Sequence, residues 1–155
     1  MANLDQIDRR LLAELQDDGR ITNVELATRV GLTAPPCLRR VRGLEDSGVI
    51  RGYHADLDGA KLGFAITVFA MVSLKSQAED ALRQFEDHMK GLPEVRECHM
   101  LNGEIDFILK IVSRDLQSFQ EFLTSKLTPA PNVASVKTSL TIRTAKQLPG
   151  VPLVV

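Results

Sequence analysis

The stretch that most restricts how this chain can fold is Asn23 to Ser47, NVELATRVGLTAPPCLRRVRGLEDS, which reads as two short helices meeting at Gly31. Thr22 can cap the first helix and Glu25, three residues on, can reach back to it, so Thr22-Asn23-Val24-Glu25 is a capping box. Leu26, Ala27 and Val30 form the inner face of that helix, and Gly31 supplies the backbone freedom a sharp turn demands. Thr33 is placed to cap the second helix. Pro35 and Pro36 fall in its first turn, where backbone N–H groups have no intrahelical partner and proline costs little. On a helical wheel Leu38, Val41, Leu44 and Glu45 share one side of the second helix; Pro36, Arg39, Arg40 and Gly43 share the other, with Arg42 at the boundary. A stripe of outward arginines on an isolated helix is as well explained by a solvated charged face. Behind a capped helix and a glycine turn, the same stripe has the geometry that lays a recognition helix in the major groove of double-stranded DNA.

Helix one of this bundle precedes the pair. Leu4, Ile7, Leu11, Leu12 and Leu15 recur at helical spacing from Leu4 to Asp17, and Gly19 stops the run. Its apolar stripe requires the other two helices as cover, which predicts a three-helix unit. After Gly48, residues 49–56 (VIRGYHAD) are enriched in strand formers and predict a short wing or connecting strand, with Arg51 able to touch a phosphate. The residues expected at the DNA surface are therefore Thr22, Asn23, Thr33, Pro36, Arg39, Arg40, Arg42 and Arg51. The net charge of −1 argues against a broad basic footprint, and residues 1–60 hold eight basic against ten acidic side chains. One such module neutralises few phosphates, so useful affinity needs two or more acting together.

Glycines at 52, 59 and 63 predict a hinge over 57–64, between a first domain, 1–56, and a second, 65–148. Residues 65–75 (AITVFAMVSLK) form a nearly continuous strand-forming run. Leu82, Phe85 and Met89 then mark a helix over 79–90. Strands are expected over 95–101 and 106–113, joined by Asn102-Gly103-Glu104-Ile105, and an Asn-Gly pair is a strong hairpin signal. A helix over 115–127 and a last strand over 133–146 complete the order βαββαβ, the ferredoxin-like arrangement of one sheet with two helices on one face. The fold class is therefore α+β. The uncovered sheet face calls for a partner subunit. The apolar tail, 149–155, is expected to pack on a neighbour or to fray.

No apolar run approaches the roughly 20 residues of a bilayer span, and the start MANLDQIDRR lacks a signal-peptide core, which predicts a cytoplasmic protein with no membrane partner. Cys37 and Cys98, the only cysteines, are expected as reduced thiols, Cys37 either packed in the bundle or redox-sensitive. Adjacent Cys98 and His99 point to opposite faces of a strand, so no metal site is expected, and the absence of a nucleophile triad, P-loop or dinucleotide fingerprint argues against an enzyme or a bound cofactor.

The run LDQIDRRLLAELQDDGRITNVELATRVGLTAPPCLRRVRGLEDSGVIRGY, together with VRECHMLNGEIDFILK, closely resembles the Lrp/AsnC (leucine-responsive, feast/famine) family of transcription regulators. The resemblance implies a winged or simple helix-turn-helix joined to a ferredoxin-like regulatory domain (RAM domain), a homodimer assembling into an octamer or similar ring, and an amino-acid effector bound between dimers. It places the effector loop on Leu101, Asn102, Gly103, Glu104, Ile105 and Asp106, facing Thr138 and Ser139. Asp106 suits the ammonium of an amino acid; Gly103 N–H and the Thr138 hydroxyl suit its carboxylate. Without the resemblance, Asn102-Gly103 is as well read as a plain turn and Asp106 as a strand-end residue. The family more often has Asp where this chain has Glu104. Two other functions fit parts of the pattern: an architectural protein that compacts DNA without a small-molecule switch, and an amino-acid sensor for a partner enzyme, which would not need exposed arginines.

Overall fold

The computed structural model describes residues 4–153, which divide into two compact units. One comprises residues up to Asp56 together with the segment from Lys146 onward; the other spans Leu57–Ala145.

The first unit is a three-helix bundle of α1 (Gln6–Asp17), α2 (Asn23–Val30) and α3 (Ala34–Asp46). Helix α1 begins one turn's edge later than its apolar run suggests, because Asp5 caps it: its carboxylate accepts from the Asp8 N–H at 2.8 Å while the Asp8 carboxylate accepts from the Asp5 N–H at 3.3 Å. Thr22 caps α2 by accepting from the Glu25 N–H, but the expected return bond is absent; the Glu25 carboxylate is drawn to Arg29, one turn further on. Gly31 takes the left-handed conformation at φ 76°, which lets the Leu32 N–H reach the Ala27 carbonyl at 2.8 Å and the Gly31 N–H reach the Thr28 carbonyl. These two bonds satisfy the end of α2 and turn the chain into α3.

Leu11, Leu26, Ala27, Val30, Cys37, Val41 and Leu44 are the buried core of the bundle. Here one expectation is corrected. Leu38 was assigned to the inner face of α3, yet it is 39% exposed while Cys37 is fully buried. The cause is a rotation of the stripe: the core positions are Cys37, Val41 and Leu44, a 4–3 spacing that leaves Leu38 on the flank. Residues 49–56 form no strand, so the expected wing is not built within one chain. The tail folds onto α1 instead of leaving the unit: the Gln16 side chain donates to the Val151 carbonyl at 2.9 Å and accepts from the Val151 N–H at 3.0 Å.

The second unit holds β1 (Ile66–Leu74), α4 (Glu79–Lys90), β2 (Val95–Met100), β3 (Phe107–Ser113), α5 (Leu116–Phe122) and β4 (Val133–Leu140). Residues 57–64, expected as a hinge, lie in this unit and contain a single 3-10 turn over Ala60–Leu62. The helix expected over 115–127 is α-helical only to Phe122 and widens into a π-turn over Leu123–Leu127. The last strand stops at Leu140, six residues short of expectation, because 141–146 have no partner strand beyond β1 Val68 and Thr67.

The sheet order is β2-β3-β1-β4, antiparallel throughout, as the ferredoxin-like arrangement requires. Along β1 and β3 burial alternates strictly. Val68, Ala70, Val72, Phe107, Leu109 and Ile111 face the core with Leu82, Phe85 and Met89 of α4 and Phe119 and Phe122 of α5, and the Phe85 and Phe107 rings lie 4.8 Å apart. Of the alternate positions on the opposite face, Phe69, Met71, Ile108 and Val112 are apolar, with Lys110 set across from Phe69 and Thr67 across from Val112, and Phe69 is 37% exposed.

Candidate nucleic-acid interface and effector loop

Helix α3 presents two of its three arginines and holds back the third. Arg39 and Arg42 are exposed and make no ion pair among the described residues. Arg40 is half-buried: its Nη1 donates to Asp5 Oδ2 at 2.7 Å and to Asp8 Oδ1 at 2.8 Å. Those two carboxylates raise the Arg40 pKa, and the Asp8 N–H, followed by Arg40, holds the Asp5 carboxyl below its usual range.

The other expected DNA positions divide by what already occupies their side chains. Asn23 donates from Nδ2 to the Ala34 carbonyl at 2.8 Å, tying the start of α2 to the start of α3 and setting the angle between them. The Thr22 hydroxyl serves as the α2 cap. Thr33, expected as the α3 cap, makes no side-chain cap bond, so its exposed hydroxyl beside the start of α3 is available to a phosphate oxygen. Pro36 is half-buried in the first turn of α3, and Arg51 is exposed beyond it. Asp5 and Asp8 were missed as part of this constellation, although a capping pair at i and i+3 ahead of an apolar run was visible; nothing in the sequence connects that pair to Arg40, thirty-two residues from Asp8.

In the second unit, residues 101–106 join β2 to β3. The Leu101 N–H donates to the Asp106 carbonyl at 2.8 Å, and neither Asn102 nor Gly103 has a positive φ. The connection is thus a wide loop, not the tight Asn-Gly hairpin expected. Leu101, Asn102, Gly103 and Glu104 are exposed. Asp106 is not. Its Oδ2 accepts from the buried Leu74 N–H at 2.7 Å and its Oδ1 accepts from Gln77 Nε2 at 2.9 Å, while its own N–H donates to the Val72 carbonyl. One carboxylate oxygen thus holds the end of β1 and the other the Gln77 side chain just beyond it, a partner that no local pattern signals. Thr138 and Ser139 pair with Ala70 and Phe69 on the edge strand β4. Strand β1 lies between β4 and β3, where the loop ends, so two strand spacings leave a lateral gap on the order of 10 Å. Thr138 and Ser139 also point to opposite faces, so one chain does not assemble the loop and these hydroxyls into a single pocket.

Both cysteines are free thiols, and their surroundings disfavour the thiolate. Burial pushes the Cys37 thiol up, and burial first, then the Glu86 charge, pushes Cys98 up to about 11. His99 lies on the other face of β2, against Glu97 at 3.3 Å. Among the described residues no cluster of three or more metal-ligating side chains forms, and no helix is long and apolar enough to cross a membrane.

A helix-turn-helix with exposed arginines on its second helix, joined to a ferredoxin-like unit with an open loop at one sheet end, defines a two-module DNA-binding regulator. Residues 4–51 match the winged helix-turn-helix DNA-binding family model and residues 67–151 match the Lrp/AsnC ligand binding domain. The chain is 54% identical to a leucine-responsive regulatory protein of Rhizobium meliloti over 92% of both chains, and 42% identical to a Bkd operon transcriptional regulator of Pseudomonas aeruginosa over 99% of this chain and all of that one. A transcriptional regulator from Neisseria meningitidis, solved as a complex with L-Met, superimposes with a TM-score of 0.93 at 36% identity, covering 97% of each chain. The chain belongs to the Lrp/AsnC family, and is a transcription regulator and not an enzyme.

Proposed function

We propose that this protein binds discrete DNA sites through α3, with Arg39 and Arg42 contacting bases or phosphates and Thr33 and Arg51 holding the backbone, and that an amino acid modulates that binding. The observation that carries the DNA reading is the exposure of Arg39 and Arg42 on a helix whose approach is fixed by the Asn23 to Ala34 bond. The amino-acid reading is supported by the match to the ligand binding domain and by the L-Met complex of the Neisseria relative. In this reading the loop Leu101–Glu104 offers backbone N–H groups and the Glu104 carboxylate, and Thr138 and Ser139 come from another subunit, because one chain keeps them apart. Asp106 shapes the loop instead of binding the ammonium.

A homodimer follows from two physical needs. The apolar set of Phe69, Met71, Ile108 and Val112 requires cover, and one helix-turn-helix with two available arginines on α3 neutralises too few phosphates. Dimers joining into an octamer or related ring would then bring the loop of one chain to β4 of another. The test pairs a thermal-shift screen of the amino acids with footprinting on DNA selected from a random pool. Discrete footprints that change with the stabilising amino acid support the proposal. Uniform protection without an amino-acid response would instead mark a DNA-compacting protein.

A further inference from the structure

The bonds around Arg40 form a closed set. Each of its two partners divides its carboxylate: Asp5 accepts from the Asp8 N–H with Oδ1 and from Arg40 with Oδ2, and Asp8 accepts from the Asp5 N–H with Oδ2 and from Arg40 with Oδ1. One oxygen of each acid caps α1 and the other grips the middle of α3. Asp8 is the better sheltered, its side chain 15% exposed. We propose that Arg40 serves DNA recognition without touching DNA, by offsetting part of the charge of two carboxylates that would otherwise repel phosphate. This rests on the reading of α3 as the DNA-facing helix.

The division of labour has a direct electrostatic consequence. With Arg40 present the trio carries a net charge of −1; without it two uncompensated carboxylates stand beside the helix that must approach a polyanion. Arg40 loss therefore weakens DNA binding even though no DNA contact is lost. Replacing both acids by Asn removes the repulsion and retains the α1 cap, since Asn caps as well as Asp.

The experiment uses the full chain and the duplex that wild-type protein selects from a random pool, titrated at several salt concentrations, with far-ultraviolet dichroism confirming helix content. Arg40→Ala is expected to weaken binding roughly threefold to tenfold at low salt, where screening is least. The triple variant D5N/D8N/R40A is expected to recover wild-type affinity to within about twofold, with an unchanged slope of log affinity against log salt. A triple variant that stays weak, with a slope shallower by about one, shows that Arg40 holds a phosphate and overturns the proposal. If Arg40→Ala alone fails to fold, the triple variant carries the same two outcomes. Arg39→Ala serves as the separate check: unchanged affinity there removes the reading of α3, whereas lost affinity there beside an unrescued triple variant removes only the proposal about Arg40.

Discussion

Asp106 sits where an effector-binding carboxylate was expected, but its bonds make it a fastener, and Asp106→Ala separates the two roles. In the intact module its Oδ2 is the acceptor for the Leu74 N–H at 2.7 Å, and Leu74 is only 9% exposed. Truncation leaves that N–H without a partner in a place water barely reaches. A buried donor deprived of a charged acceptor costs about 1.5–3 kcal/mol. The second bond, to Gln77 Nε2, is at the surface, where water replaces it at little cost. For a module of this size each kcal/mol lowers the melting temperature by about 4–8 °C, so a drop of about 6–24 °C is expected for the sheet unit. Asp106→Asn keeps a neutral acceptor for Leu74 and should lose well under half of that.

The assay can address the two units separately. Tyr53 is the only tyrosine and there is no tryptophan, so tyrosine fluorescence reports the helical unit, which includes residue 53, while far-ultraviolet dichroism follows both. Asp106→Ala should move the dichroism transition and leave the tyrosine transition in place. An unchanged melt combined with lost amino-acid binding would show that the carboxylate serves the ligand, and the fastener reading would be wrong.

Three further outcomes are expected. Arg39→Ala should weaken binding to a selected duplex by about 1–3 kcal/mol with the fold intact, and a filter-binding or anisotropy titration showing wild-type affinity would exclude this side chain as a DNA contact. Phe69→Asp, on the open sheet face and outside the module core, should weaken dimerisation by on the order of 2 kcal/mol or more without unfolding the module; light scattering that finds an unchanged dimer places the interface elsewhere. Gly150→Ala should release the tail, because Gly150 holds φ +72° and an added Cβ would lie 1.9 Å from Gln16 Oε1; a strain of about 1–2 kcal/mol should speed proteolysis after residue 146, and an unchanged cleavage rate would mean the tail is not held by Gln16.

The parts of this fold that were legible in the sequence are those set by local patterns. The α4 limits, 79 to 90, coincide with prediction because the apolar spacing of Leu82, Phe85 and Met89 sits between an acidic first turn and a glycine stop. Strands β1 and β3 were legible because their alternation is forced by one buried face. The misreadings occurred where a neighbour in space decided the outcome. The 3.6-residue period allows either Cys37 or Leu38 to pack with Val41 and Leu44, and only the positions of α1 and α2 select the cysteine. The end of β4 depends on how far β1 extends beside it, which 141–146 do not encode. Asn102-Gly103 has the composition of a two-residue turn, yet Asp106 fastens β1 and its carbonyl closes a six-residue loop, so the flanking bonds override the local preference.

Charge was the hardest feature to read, for a reason that reaches from the core to function. A sequence displays every ionisable residue as though its charge faced solvent, whereas folding pairs some of them and leaves others available. On α3, Arg39, Arg40 and Arg42 look equivalent at helical resolution, but Arg40 meets two carboxylates across the bundle and the other two meet none among the described residues. In the loop, Glu104 and Asp106 look like interchangeable acids two residues apart, but one is exposed and the other has both oxygens engaged by β1 and Gln77. A ligand senses only the unpaired set. For a chain of net charge −1, that selection, and not the total, is what gives one face of one helix a positive character toward DNA. On the proposed reading, DNA-binding strength then depends on pairing two such faces, because two arginines on α3 are too few to hold a polyanion at physiological salt.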